Sequence, residues 1–311
     1  MTPSRTVIAA AAVTLAFLPI APVGAQYVPE RVFNTASGAF ADFESMLADA
    51  ANADVLVVGE QHDDPNTHRL ERAVLEGLQR RRTGIVLSLE MFERDAQGPL
   101  DQFVLGQLPE AGFLAASRPW PRYATDYKLL VDFAAAHDWP VVAANVPRPI
   151  ASEVAKGGLA VLDAKTGEAR QWFARELQCP TDGEYYDRFA KAMSGHAQTG
   201  APAATGSVGS STDTLTRYYQ SQCLKDETMA ESIVQARRSA AASGAPPLVV
   251  HVNGAFHSDF GLGTAARVRR RLPDARVVII TMLPVADLDT LAPGDEDRRR
   301  ADYLVYTLKK P

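Results

Sequence analysis

The pattern Gly-x-x-His occurs twice in this chain, as Gly59-Glu60-Gln61-His62 and as Gly254-Ala255-Phe256-His257, each time after a short apolar run. A glycine at such a point lets the chain turn sharply and lets a ligand approach the backbone. Two further runs end on polar groups: residues 85–89 lead to Glu90, and 141–144 lead to Asn145, with Arg148 past Pro147. Two imidazoles beside Glu60 and Glu90 have three chemical uses. They bind a divalent metal (through Glu60, His62 and His257), activate a water as general base and acid, or anchor a polar ligand. The residues alone leave all three open. Each also has a plain structural explanation, as a loop histidine, a paired carboxylate or a turn asparagine. The joint pattern is what points to a site, because burying several such groups without purpose is costly. No His-Glu-x-x-His, phosphate loop or Gly-x-Ser-x-Gly occurs, which removes support for zinc peptidase, nucleotide-binding and serine-hydrolase chemistry.

The elements that must position these groups alternate as in βαβ units. Residues 55–58, 85–89, 141–144, 248–252 and 277–282 are apolar and β-branched, as buried strands are. Residues 67–82, 126–136 and 261–272 carry apolar positions at helical spacing, 100–105 reads as a shorter helix, and 303–308 alternates like an edge strand. The alternation predicts an α/β fold with a largely parallel central sheet flanked by helices. In such sheets ligands bind beyond the carboxyl ends of the strands, where Glu60, His62, Glu90, Asn145 and His257 all fall. Residues from about 165 to 238 lack strand signals and read as a helical insertion around a Gly/Ala/Ser/Thr-rich stretch at 194–212 that looks mobile. Within it, 214–239 is expected to be one long helix.

Residues 1–25 read as a secretory leader: Arg5 supplies the positive start, 7–20 the apolar stretch, and Val23-Gly24-Ala25 the cleavage site. The expected mature chain, 26–311, is then a single exported, soluble domain with no transmembrane span. In an oxidising compartment Cys179 and Cys223, the two cysteines of the chain, are expected to form a disulfide at the base of the insertion. The net charge is -5, and the arginine runs at 80–82, 269–271 and 298–300 are short. That argues against a nucleic-acid partner, which needs a sustained basic face.

Five stretches in order resemble the haem-binding uptake family ChaN, part of the Tiki superfamily that includes the erythromycin esterases. They are Val57-Val58-Gly59-Glu60-Gln61-His62-Asp63-Asp64, Leu89-Glu90-Met91-Phe92, Ala144-Asn145-Val146-Pro147-Arg148, Gln222-Cys223-Leu224-Lys225-Asp226-Glu227-Thr228-Met229-Ala230, and Gly254-Ala255-Phe256-His257. The resemblance implies a periplasmic protein linked to haem or iron uptake, with haem held in some members across a homodimer, and a link to outer-membrane uptake machinery. No cysteine lies near the cleavage point, unlike in the family's lipoproteins. The same resemblance makes Tyr185, Tyr186 and His196 the expected iron ligands, and Asn145, Arg148 and Asp226 further cofactor-facing residues. It carries an alternative too, in which Glu60, His62, Glu90 and His257 are the hydrolytic centre of an esterase-like enzyme. A third reading is a crevice that only binds a ligand.

Overall fold

The computed structural model describes residues 28–198, 212–241 and 246–309, so the expected leader lies outside it. Among the described residues eight strands form one sheet: β1 (Glu30–Asn34), β2 (Ala39–Ala41), β3 (Val55–Glu60), β4 (Ile85–Glu93), β5 (Val141–Asn145), β6 (Leu248–Gly254), β7 (Val277–Val285) and β8 (Tyr303–Leu308). Their order is β2-β1-β8-β7-β3-β6-β4-β5, and the six from β8 to β5 are mutually parallel. The α/β expectation holds. One strand is placed differently from its sequence pattern: β8 is interior, because β1 pairs with it antiparallel and the β1–β2 hairpin takes the edge. The alternate side chains of β8 enter two different buried clusters, Tyr303 and Val305 on one face and Leu304 and Tyr306 on the other, rather than marking an open edge.

Both faces are covered. On one, the helix Pro65–Gln79 and its neighbours pack Leu70, Val74 and Leu78 against Leu56, Val58 and Leu87. On the other, Ala230 and Ile233 of the helix Thr212–Ala241 join Ala265 and Val268 of the helix Gly263–Arg271 over Val55, Val57 and Val249. The long helix of the predicted insertion is therefore also the layer that carries the chain from β5 to β6. It delivers β6 between β3 and β4, which sets three strand ends side by side.

The strands outrun their apolar signals. Glu60, Asn145 and Gly254 are the closing residues of strands and Glu90 lies inside β4, which runs on to Glu93, so none of them is the first residue of a loop. In β4 the pairing with β5 shifts register between Leu89 and Glu93. Such a bulge re-aims side chains, and here Glu90 and Glu93 take up different partners.

Within 165–238 the described residues hold no strand, and the helices Glu184–Gln198 and Thr212–Ala241 supply the expected helical character. The expected loop at 194–212 falls outside the described residues from 199 to 211, while 194–198 is helical. Cys179 and Cys223, 44 positions apart, are joined as a disulfide. Closing a loop of that length is worth about 4 kcal/mol on the chain-entropy account. We expect Cys179→Ser/Cys223→Ser to lose that much in urea unfolding, and a change below about 1 kcal/mol would remove this role. The arginine runs are structural. Arg267, Arg270 and Arg271 converge on buried Glu227, Arg80 and Arg81 on Glu44, and Arg300 on Asp259.

Candidate functional site

The strand-end residues form two linked groups. The first is centred on Glu60, whose carboxylate is buried at the end of β3. One oxygen is shared by the Nδ1 of His62 and by the Tyr127 hydroxyl, which donates at 2.9 Å. The other lies 3.1 Å from Nδ1 of His68. His68 also reaches Glu71 at 3.2 Å and Asp126 at 3.5 Å, and Arg122 covers Asp126 from the surface. The helix that presents His68 and Glu71 begins at Asp64, which caps the backbone N–H groups of Asn66 and Thr67, with Pro65 in its first turn. Residues three apart share a helix face, so His68 and Glu71 point inward together. Tyr127 and Asp126 come from a widened π-type turn, Tyr123–Tyr127, a distortion often found at functional sites.

The second group is centred on His257. Its Nδ1 lies 2.7 Å from Asp226, and its Nε2 lies 3.2 Å from Glu90. Glu90 in turn accepts from the Gly254 backbone N–H at 2.8 Å. Asp226 is a hub: the hydroxyls of Tyr185 and Thr264 donate to it at 2.6 and 3.0 Å. Asn145 donates to the Glu90 carbonyl oxygen at 3.1 Å, holding β5 against β4. Arg148 instead ion-pairs with Glu93 at 3.1 Å and lies over the Trp120 ring.

Gly254 joins the groups. A Cβ there would stand 2.5 Å from Nε2 of His62, so the imidazole lies directly against the backbone whose N–H binds Glu90. The side chain of His62 is 43% exposed, whereas that of His257 is only 7% exposed. With Trp120 edge-on to its ring, His62 is the one member of the quartet that is substantially exposed. Gly59 is required for a second reason: a Cβ would stand 2.9 Å from Ser258 Oγ and 3.1 Å from the Ala255 backbone.

Electrostatics separates the two histidines. Burial pulls the His257 imidazole down, but Glu90 and Asp226 on either side outweigh it and push it up to about 10. Burial opposes Glu90 as well, yet His257 and His62 hold it down at about 2. His257 is thus an imidazolium between two carboxylates, a structural cation rather than a base at neutral pH. Burial also opposes the charged form of His62, and its bond to Glu60 reverses that and raises it. In the same cluster, burial and the Glu60 charge push Glu71 well above the usual carboxylate range. Beneath the site, burial depresses His251 to about 4, and its Nδ1 meets Ser88 Oγ at 2.9 Å.

Glu60, His62, Glu90 and His257 are thus brought together, with Asn145 at the rim. Asp226, expected to face a cofactor, instead lies buried between His257, Tyr185 and Thr264. Tyr185 is buried with its hydroxyl donated inward, and burial with the Asp226 charge pushes its phenol far up. Tyr186 is half-buried, edge-on to Tyr219, and its hydroxyl makes no hydrogen bond among the described residues. His196 is in the last turns of its helix, its side chain outside the described set. Four participants were not read from the sequence: His68, Glu71, Asp126 and Tyr127. The signal for His68 and Glu71 is a His and a Glu set three apart among the apolar positions of an amphipathic helix, where two polar residues facing a core ask for partners.

The chain is an α/β protein with a largely parallel sheet whose strand ends hold a Glu/His crevice, the place where ligands bind in such sheets. The model of the haem-binding uptake family ChaN, of the Tiki superfamily, matches residues 46–268, and the chain belongs to that family. Among solved structures the chain is similar to ChaN of Campylobacter jejuni, described with cofacial haem binding. The identity is 16% and the TM-score 0.66, over 91% of this chain and 97% of that one. It also matches an erythromycin esterase mutant at 14% identity and TM-score 0.44, covering 90% of this chain and 83% of that chain. A Bacillus cereus protein matches at 11% and 0.45, over 85% of this chain and 91% of the other. No curated protein matches the chain.

Proposed function

We propose that this chain is an exported, periplasmic haem-binding protein of haem or iron uptake, holding haem on the surface of its helical segment. Membership of the haem-binding uptake family is the observation that carries the reading. The structure offers a surface that suits the group. Beside the helix Glu184–Gln198 is a groove of about 360 Å³, walled by Tyr185, Phe256, Phe260 and Leu262, with Arg188, Lys191 and Arg300 at its rim beside Glu296 and Asp259, which pair with Arg188 and Arg300. An apolar slot with arginine and lysine side chains at its mixed-charge rim suits a flat macrocycle bearing two carboxylates. A groove this small and open covers one part of the ring, which agrees with a second copy of the chain covering the rest. Tyr186, next to Tyr185 on the same helix but outside the lining of that groove, is the residue that would hold ferric iron: its phenol has no hydrogen-bond partner among the described residues, whereas that of Tyr185 is committed to Asp226. Bound haem would supply iron-centred ligand binding, and the outer-membrane uptake machinery would be its source or destination.

Hemin titration of the mature protein tests this. We expect a saturable, shifted Soret band, with affinity reduced at least about tenfold in Tyr186→Phe and retained in His62→Ala. Absence of the band, or a Tyr186→Phe variant identical to wild type, removes the reading.

One observation favours a second use of the crevice. His62 is half-exposed, oriented through Nδ1 by Glu60, and turns Nε2 towards Gly254. That is the arrangement of a general base, with Glu60 as its orienting group. If the crevice hydrolyses an ester, His62→Ala will lower turnover by about 10²–10⁴-fold on an ester and lactone panel while hemin binding persists. Turnover that survives the substitution excludes the role.

A further inference from the structure

Behind the crevice, at the inner end of the Glu60 carboxylate, the protein has built a second polar site. Among the described residues, Glu60, His68 and Glu71 are a trio whose ligand atoms all fall within 4.8 Å of one another, and all three side chains are buried. We propose that these residues bind one divalent cation, distinct from any ligand held by His62 and His257.

Three observations carry this. The first is spacing. His68 Nδ1 stands 3.1 Å from Glu60 Oε2 and 3.2 Å from Glu71 Oε2. Two donors bound to one metal at ordinary N and O bond lengths lie about 3.0–3.4 Å apart. The second is the orphaned oxygens. Glu60 Oε2 and Glu71 Oε1 are fully buried and accept no hydrogen bond of sound geometry. Two carboxyl groups therefore face one imidazole, and each keeps a buried oxygen that no described donor meets in good geometry. The third is the far side of the ring. His68 Nε2 lies 3.3 Å from the His62 carbonyl oxygen and 3.5 Å from Asp126. A proton on Nε2 donated to those acceptors leaves the Nδ1 lone pair aimed between the two carboxylates. Metal-ligating histidines are oriented this way by an outer carbonyl or carboxylate.

The helix supplies His68 and Glu71 from one face at i and i+3, and β3 supplies Glu60 from the sheet. One nitrogen and two carboxylate donors suit a borderline or hard ion such as Mn²⁺ or Zn²⁺ rather than a soft one. Tyr127, donating to the other oxygen of Glu60, would orient the ligand carboxylate from outside. The cation would sit beneath the crevice, fixing the Glu60 carboxylate on which His62 leans.

The test uses untagged mature protein, stripped with EDTA, re-equilibrated separately with Mn²⁺ and with Zn²⁺, and desalted. Elemental analysis is expected to find about one ion per chain, with a rise in melting temperature over the stripped protein. Glu71→Gln keeps the shape of the side chain and should reduce affinity at least about tenfold, as should His68→Gln. His62→Ala and His257→Ala should bind the ion as wild type does. The proposal falls if wild type retains no ion. It falls equally if Glu71→Gln and His68→Gln, shown folded by circular dichroism, retain as much as wild type. Loss of the ion in His62→Ala or His257→Ala alone would place the metal in the open crevice and overturn it as well.

Discussion

Asp226→Ala should destabilise the protein by about 3–5 kcal/mol, although Asp226 touches neither solvent nor the open crevice. Four groups converge on this one carboxylate: the His257 imidazolium at 2.7 Å, the Tyr185 and Thr264 hydroxyls, and Arg267 at 3.9 Å. Truncation leaves a buried cation held by Glu90 alone and strands two buried hydroxyl donors. Stranding a partner in the interior is the expensive case; the attraction between exposed charges is the cheap one. The protein contains its own control. Arg80 and Glu44 pair at 3.2 Å with both side chains more than half exposed, and removing Glu44 should change stability by less than about 1 kcal/mol. Asp226→Asn separates shape from charge, because the amide oxygen still accepts from Tyr185 or Thr264 but no longer neutralises His257. It should fall between wild type and Asp226→Ala, with the His257 titration midpoint, followed by NMR, moved down. Urea unfolding of the three variants is the measurement. An Asp226→Ala protein within about 1 kcal/mol of wild type would mean that His257 is not the cation described here.

What made the strand-end quartet legible was the sheet itself. A parallel sheet buries its strands on both faces, so β3, β4, β5 and β6 stand out as apolar runs and the polar residues closing them stand out by contrast. The disulfide followed from cysteine count and the expected compartment. Legibility stopped where partners are set by packing between distant segments. Asp226 sits in a 30-residue helix, and nothing local says that it faces His257, 31 positions on. Tyr127 meets Glu60 across 67 positions and only because a π-type turn rotates it inward. The β1–β2 hairpin was missed for a different reason: its strands of five and three residues are too short to show a period, and the hairpin takes an edge that the alternation of 303–308 had suggested for β8. The two tyrosines are the sharpest case. Tyr185 and Tyr186 are adjacent in sequence, yet successive helical positions point about 100° apart. One is therefore locked onto Asp226, and the other is half-buried against Tyr219 with its hydroxyl unbonded among the described residues.

Raising the pH should weaken this fold well before any lysine titrates. His257 ordinarily has a value of 6.5, and burial would lower it further. Glu90 and Asp226 instead raise it to about 10 in the folded protein. A raised imidazole binds its proton more tightly in the folded than in the unfolded chain. Its contribution is therefore complete below about 6.5 and is lost as pH climbs towards 10. One pH unit of displacement corresponds to about 1.4 kcal/mol, so the loss across this window is on the order of 3–5 kcal/mol from this residue. Glu90 acts at the opposite end. Held at about 2 against an ordinary 4.5, it contributes stability above 4.5 that disappears as pH falls through 2, so the acid limb lies below the range in which His257 matters. The expected result is a urea midpoint that declines steadily between pH 7 and pH 10, with a visibly shallower decline in His257→Gln. That variant cannot carry the charge, and its stability at pH 7 should already be reduced, since Glu90 and Asp226 then face each other without the intervening cation. A wild-type midpoint constant from pH 6.5 to pH 9.5 would contradict the protonated His257, and with it the assignment of His62 alone as the crevice's base. The pH profile therefore bears on the proposed function: the two Gly-x-x-His motifs look alike in the chain, but the carboxylates on either side of His257 make it a fixed cation, while His62 stays open at the crevice.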